Sequence, residues 1–304
     1  MTQTVLLAGA TGMLGSQIAR HLLDQPGARV RLLVRGAEAA GRRAVLDPLL
    51  TRGAEVIEGD LADRASLDRA TQGADVIVSA VQGGPDVIID GQVALAEAGR
   101  RNGVRRILPS DYALDLFKAV PGEHGMFDLR RTADEGIAAT GIEHVHVLQG
   151  AFMEMFGPDM GTFDHDAGTV TFWGDGGQPI EVTSVEDTAR VVARVALDRS
   201  VASGKFAFAG DRISILNAAK VIEAQTGRRF ARRSNGSEAD LRAAMAEAAK
   251  DTSNPFKVVM LAYQLTMLTG QTALSDLQNE RYPDLKPEGF AQFAARTMPR
   301  RAAG

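Results

Sequence analysis

The sequence predicts an α/β fold, a doubly wound parallel sheet with helices on both faces and a smaller, mostly helical region after it. Three observations predict it. Residues 5–8 are an apolar run, followed by Gly9, Gly12 and Gly15 and by Leu14, Ile18, Leu22 and Leu23 at helical spacing. Strand-like and helix-like stretches then alternate up to Leu148, the pattern of parallel βαβ units. Beyond Gly150 the alternation weakens and helical patterns take over.

The elements follow in order. Pro26 and Gly27 stop the first helix. Residues 29–34 are a second strand ending at Arg35 and Gly36, residues 41–52 a helix closed by Gly53, and residues 55–58 a short third strand before Gly59, Asp60 and Leu61. Asp63 is placed to cap a helix over 64–72. Residues 75–79 are a fourth strand, and Asp86 opens a helix to about Arg101. Residues 104–108 and 143–148 are the fifth and sixth strands, and the helix between them, about 126–140, ends at Gly141. Residues 1–150 are thus expected to form a nucleotide-binding domain. In the remaining region, 151–304, residues 169–173 and 205–208 are strand candidates, 174–177 a turn, and 185–197, 214–227, 237–250 and 255–269 helices. Some of these segments are expected to return to the first sheet.

Composition sets bounds. The 304 residues suit one large or two unequal domains, with 45% hydrophobic and 24% charged residues. A net charge of −4 gives no reason to expect nucleic acid or an anionic membrane as partner. The absence of cysteine removes disulfides, thiolate metal ligands and thiol nucleophiles. The first apolar run has no basic flank, and no stretch has the length of a membrane span. A cytoplasmic protein is the expectation.

The glycine loop carries the chemistry. Gly9 permits a tight turn, Gly12 a close approach of backbone to a pyrophosphate, and Gly15 close packing of helix on strand. The N–H groups of the first helical turn then face phosphate. This is a Rossmann-type start, and Gly9, Thr11, Gly12, Met13, Leu14 and Gly15 are its expected cofactor contacts. An NAD site commonly ends its second strand on a carboxylate. Here Arg35 stands there, and a guanidinium suits a 2′-phosphate. NADP(H) is therefore expected over NAD(H). Arg42 and Arg43 either add to this field or form a solvated helix face. Asp60 and Leu61 lie where adenine would, with Asp60 as a plain turn residue the alternative. The small side chains of the fourth strand's end leave room at Ala80, Val81 and Gln82, and Pro109 and Ser110 are the remaining expected contacts.

Several passages resemble the NmrA-like and isoflavone-reductase-like branch of the atypical short-chain dehydrogenases. They are residues 9–15 (Gly-Ala-Thr-Gly-Met-Leu-Gly), 33–35 (Leu-Val-Arg), 107–112 (Ile-Leu-Pro-Ser-Asp-Tyr), 140–142 with 150–154, 173–177 with 183–187, and 282–286 followed by Phe290. The resemblance runs nearly end to end. It implies a dinucleotide cofactor, and either NADPH-dependent reduction of aromatic ethers and related small molecules or redox-responsive regulation without a reaction. It also implies a catalytic lysine at the start of the fifth long helix. That position falls on Arg130, and an arginine does not release its proton near neutral pH. It can hold an anionic or developing negative oxygen. The Tyr-x-x-x-Lys pair of the classical enzymes is missing, since Tyr112 is followed four residues on by Leu116.

Proton donors are then few. Tyr112 lies just past the fifth strand, and His124 precedes the helix that carries Arg130. Lys118, the only lysine before Lys205, reads better as a loop charge. Ser110 and Asp111 fit a turn cap. His144 and His146 share one strand face and fit two packed histidines better than a metal pair; no metal is expected. Phe152, Met153 and Phe156 are either a substrate-binding lining or core. The expected function is an NAD(P)H-dependent reductase, NADPH preferred, of a small aromatic or carbonyl-bearing substrate, with Arg130, Tyr112 and His124 as catalytic candidates. The rival is an NADP(H)-binding redox-sensing regulator. The apolar helix over 255–269 is either buried or the contact of a homodimer.

Overall fold

The computed structural model describes residues 2–36, 40–157 and 162–298. The chain divides into two compact units. The first comprises Met1–Tyr112, Leu129–Val147 and Val185–Phe206, and the second Ala113–Asp128, Leu148–Ser184 and Ala207–Gly304. The chain therefore passes from one to the other more than once, and segments beyond residue 150 do return to the first sheet.

In chain order the elements up to the sixth strand are β1 (Gln3–Ala8), α1 (Met13–Leu23), β2 (Ala28–Val34), α2 (Ala40–Thr51), β3 (Glu55–Glu58), α3 (Arg64–Thr71), β4 (Val76–Ser79), α4 (Gln92–Arg101), β5 (Arg106–Leu108), α5 (Gly125–Ala139) and β6 (Glu143–Leu148). Then come β7 (Ala151–Phe152), β8 (Phe163–Asp164), β9 (Thr169–Phe172), β10 (Pro179–Thr183), α6 (Val185–Leu197), β11 (Gly204–Ala207), β12 (Asp211–Ser214), α7 (Ile215–Thr226), β13 (Ala231–Ser234), α8 (Glu238–Ala248), α9 (Pro255–Thr269) and α10 (Phe290–Thr297).

The first unit is built on a seven-stranded sheet of order β11-β6-β5-β4-β1-β2-β3. From β6 to β3 every pair is parallel. The order turns back between β1 and β4, so the carboxyl ends of these two strands flank the crevice of a doubly wound sheet. Strand β1 is buried from Thr4 to Ala8 and β4 throughout, as strands covered on both faces must be. Helix α1 buries Gly15, Ile18, Ala19 and Leu22 and packs on α6. The buried face of α6 is rich in small residues, Ala189, Ala193 and Ala196 among them, which lets the two backbones approach. One helix departs from expectation. The stretch opened by Asp86 begins as a single wide π-turn, Asp86–Gly91, and becomes α-helical only at Gln92. Gly91 lies against Leu61, where an added Cβ would stand 2.9 Å from the Leu61 Cβ.

Arg106 fastens the far end of this unit. It is 1% exposed. Its Nη1 donates to the carbonyl of Asp198 (2.9 Å), its Nη2 to that of Val201, and its Nε to Glu143 Oε2 (3.3 Å). Buried carbonyls need such donors. The turn between α6 and β11 is thereby tied to β5 and β6.

The second unit carries two three-stranded sheets, β12-β10-β7 and β13-β9-β8, beside its helices. It holds more strand than the sequence predicts, because each of these strands is two to five residues long and too short for a periodic signal. Its core gathers Met153, Phe156, Phe163, Phe230, Phe290 and Phe293. Among the described residues of the chain no helix is long and apolar enough to cross a membrane.

Strand β13 exposes all its side chains and is held from below by charge. Glu223 on α7 accepts from Arg232 Nη2 at 2.8 Å and from the Phe230 N–H at 2.8 Å. Arg232, and then the Phe230 N–H, hold the Glu223 carboxyl at about 2, although its burial acts in the other direction. A depressed folded value stabilises above the unfolded value, and the contribution is lost as pH falls through the folded one. The stability gap between the wild type and Glu223→Gln, read by denaturant unfolding, is expected to be full at neutral pH. It should shrink between about pH 4 and about pH 2. A gap independent of pH over that window would refute the assignment.

Candidate functional site

The glycine loop sits at the reversal of strand order. Gly9 follows β1 with φ +85°, a conformation that favours glycine. A Cβ on Gly9 would lie 2.3 Å from the Ala80 carbonyl oxygen, just past β4. A Cβ on Gly15 would lie 2.1 Å from the Gly9 carbonyl oxygen. The Gly12 N–H donates to Gly9 O (3.0 Å) and closes the turn. Gly12 is the N-cap of α1, with no side-chain cap on the helix, so the first-turn donors stay available to a ligand. Thr11 and Leu14 are partly buried, and Gly12 and Met13 are exposed. These contacts match the tight turn and the close helix–strand packing that the spacing predicts.

Past the ends of β2 and β3 stand Arg35 and Asp60. The Arg35 side chain is 66% exposed and lies 3.6 Å from Asp60 Oδ2, an exposed pair that binds weakly and leaves the guanidinium open to a stronger anion. Asp60 is also a turn residue. Its Oδ1 accepts from the Ala62 N–H (2.9 Å) and its own N–H donates to Ser66 Oγ (3.0 Å). Arg42 donates to the Gly36 carbonyl (3.0 Å) and so braces the loop after β2, while Arg43 pairs with Asp47 on the helix surface.

Past β4 and β5 the chain is pinned by a residue that the sequence does not single out. Gln92, fully buried, accepts from the Ser110 N–H (2.9 Å) through Oε1 and donates to the Ile88 carbonyl (3.0 Å). Ser110 Oγ donates to the Val81 carbonyl (2.8 Å). The segments 80–82 and 109–110 are thus joined. A lone glutamine on the apolar face of α4 is the signal that could have shown it.

Arg130 and Tyr112 both belong to the first unit, and both are buried, at 7% exposure each. The Tyr112 hydroxyl has no hydrogen-bond partner among the described residues. Burial, and then the charge of Asp111, push its phenol above the ordinary value, so it is kept in the protonated form. Next to it stands a cluster. His146 Nδ1 lies 2.8 Å from Asp111 Oδ2 and 3.6 Å from Asp134 Oδ1. The ligating atoms of all three residues are within 4.8 Å of one another. Burial, and then the charge and hydrogen bond of Asp111, hold the Asp134 carboxyl far above the usual carboxylate range, while the Arg130 charge acts in the other direction. His144 packs edgewise on His146 (5.2 Å between ring centres). The partners that the histidine pair lacks in the sequence therefore come from two acids on other elements. Donors of these types also hold divalent metals.

The other candidates lie in the second unit. His124 is fully buried, stacked on Phe127 (3.8 Å, 9°) and edge-on to Tyr263 (4.3 Å), and its Nδ1 accepts from the Phe127 N–H (3.3 Å). Those are the contacts of a packed helix cap. Lys118 donates to the Ala273 carbonyl (2.7 Å) and Ser275 Oγ (3.2 Å), the structural role of a loop charge. Met153 and Phe156 are core residues, which leaves the half-buried Phe152 as the one of its trio that can meet a ligand. A cavity of ≈ 70 Å³ lies among Phe172, Trp173, Ile180, Ile215, Met267 and Leu268. The Trp173 Nε1–H donates to Gln264 Oε1 (2.8 Å) on its rim.

A parallel sheet with a glycine loop at its reversal places the first unit in the doubly wound, ligand-binding class of α/β proteins. The sequence model of the NmrA-like family matches residues 1–249. The chain belongs to the NmrA-like family. It is similar to pinoresinol reductase 2 of Arabidopsis thaliana, 30% identical over 209 residues, which span 64% of this chain and 64% of that relative. It is also similar to phenylcoumaran benzylic ether reductase PT1 of Pinus taeda, 31% identical over 158 residues, 50% of each. Among solved structures, AtPrR2 with NADP+ and (+)pinoresinol superposes with a TM-score of 0.84 at 23% identity, covering 97% of this chain and 99% of that one. The leucoanthocyanidin reductase–NADPH complex from Vitis vinifera gives 0.80 at 21%, covering 96% and 98%. At these identities the structures share the fold.

The Gly15 contact is directly testable. Gly15→Ala has no room for its methyl group and is expected to cost about 1–3 kcal/mol of stability, as overpacking does, measured by thermal or chemical unfolding. A neutral Gly15→Ala would show that α1 is not held as close to Gly9 as described.

Proposed function

We propose that this chain is an NADPH-dependent reductase of a small aromatic or carbonyl-bearing molecule. The observation that carries this reading is the cradle made by Gly9, Gly12 and Gly15, which a single Cβ would fill, together with Arg35 at the end of β2. A dinucleotide pyrophosphate fits the open first turn of α1, and a 2′-phosphate fits the exposed guanidinium. The reductase names of the relatives support the activity, and their bound NADP+ and NADPH support the cofactor.

The reduced nicotinamide supplies the hydride when bound. The rest falls to residues of the first unit. Arg130 holds an oxygen of the substrate and so orients it. Tyr112 gives the reacting oxygen a proton, which its protonated, unpartnered hydroxyl is able to do. Arg130 takes the place of the lysine implied by the resemblance and cannot itself be the acid.

Consumption of NADPH and NADH against quinones, aromatic aldehydes and benzylic ethers tests this reading. Turnover with NADPH and little with NADH is the expected result. Turnover favouring NADH would overturn the cofactor assignment. Arg35→Gln is expected to raise the Kd for NADPH about tenfold or more and to leave that for NADH unchanged. Tyr112→Phe is expected to lower kcat about a hundredfold with little change in NADPH affinity. An unchanged kcat would remove Tyr112 from the reaction. The arginine in place of lysine also favours a second reading, a redox-sensing regulator. Tight NADPH binding without turnover, with weaker NADP+ binding, would support it.

A further inference from the structure

Arg130 is a buried cation with unanswered donors. It is 7% exposed, and its charge acts on Asp134, but its Nε and Nη1 are buried and make no hydrogen bond among the described residues. Buried donors are costly unless an acceptor answers them. Its natural partner is Asp134, four residues on along α5, the spacing at which helix ion pairs form. Asp134 is equally buried, at 6%, yet neither of its oxygens accepts a hydrogen bond from Arg130.

The reason lies on the other elements packed there. From the segment after β5, Asp111 brings a carboxylate oxygen within 4.8 Å of one of Asp134. From β6, His146 stands 3.6 Å from Asp134 and 2.8 Å from Asp111. Burial and the charge of Asp111 favour the uncharged form of Asp134, and an uncharged carboxyl is a weak partner for a guanidinium. The Arg130 Nε and Nη1 donors are left without an acceptor among the described residues.

We propose that Arg130 anchors an anionic group of the substrate, a carboxylate, and that Asp111 and His146, by engaging Asp134, reserve the guanidinium for it. The planar fork matches a carboxylate in two parallel hydrogen bonds, which a lysine would not. The proposal deepens the reductase reading and rests on it for the word substrate. Phosphates of the cofactor are the other source of anionic oxygen, and they already have the glycine loop and Arg35.

The test is calorimetric titration of the NADP+-loaded protein with acetate, benzoate and benzamide. Acetate is small enough for any site that admits a carboxylate. The wild type is expected to bind acetate and benzoate, with benzoate at least about tenfold tighter than benzamide, the scale of a charge-assisted hydrogen bond. Arg130→Gln should abolish that preference, and Arg130→Lys should keep part of it. Asp134→Asn should leave it unchanged, because the asparagine is neutral, the form that burial and Asp111 favour for Asp134. Binding of NADPH is measured on the same samples. No carboxylate binding in the wild type, with NADPH bound normally, overturns the anchor and leaves the cofactor reading intact. Loss of NADPH affinity in Arg130→Gln assigns the charge to the cofactor and overturns the proposal. A several-fold gain in benzoate affinity in Asp134→Asn shows that Asp134 had been quenching Arg130, and overturns the role of the cluster. Failure of NADPH to bind the wild type would instead fall on the reductase reading itself.

Discussion

The first unit depends on three stretches of backbone meeting where no side chain fits. The carbonyl of Ala80 occupies the space of a Gly9 side chain, and the carbonyl of Gly9 that of a Gly15 side chain. Glycine at both positions brings the end of β1, the end of β4 and the start of α1 together. The same crowding fixes where α1 points and leaves its first N–H groups uncapped. Parallel order, reversal of direction and an open helix start are one constraint seen three ways. The polar ties around it serve that arrangement. Gln92 joins the segments after β4 and β5, and Asp60 and Ser66 set the turn after β3.

What was legible in the sequence was local. The glycine spacing, the Asp63 cap, whose carboxylate accepts from the Ala65 N–H (3.0 Å), and Arg35 at the end of β2 each depend on a few neighbouring residues. Helix α7 and its stop at Gly227, with φ +73°, were legible for the same reason. The short strands of the second unit were not, since Ala151–Phe152 or Phe163–Asp164 has no period to detect. Helix α10 also went unread, although Phe290, Phe293 and Ala294 make a buried face at helical spacing.

The candidate site divides in the same way. Its glycine half is contiguous in the chain. Its acidic half is assembled by the sheet, because Asp111, Asp134 and His146 come from three separate elements that only the strand order brings side by side. A partial signal existed. Arg130, Ala133, Asp134 and Ile137 fall on one face of α5, and that face is buried. Two charged residues on an apolar face call for a partner, but periodicity does not say which. Packing places the His124 candidate in an aromatic stack, and Lys118 donates to a backbone carbonyl.

The return of α6 and β11 to the first sheet has a consequence for synthesis. During translation the amino-terminal strands emerge first, but the helix that covers α1 ends only at Leu197, and the last strand of the sheet only at Ala207. A nascent chain of 150 residues holds the glycine loop and six strands. It leaves Ile18, Ala19 and Leu22 without their cover and β6 with an open edge, the kind of surface that partly made chains bring to aggregation and chaperones. Arg106 likewise waits for the Asp198 and Val201 carbonyls. The segments before residue 150 therefore reach their final packing only after Ala207 has left the ribosome, and folding of the two units is interleaved in time as their segments are in sequence.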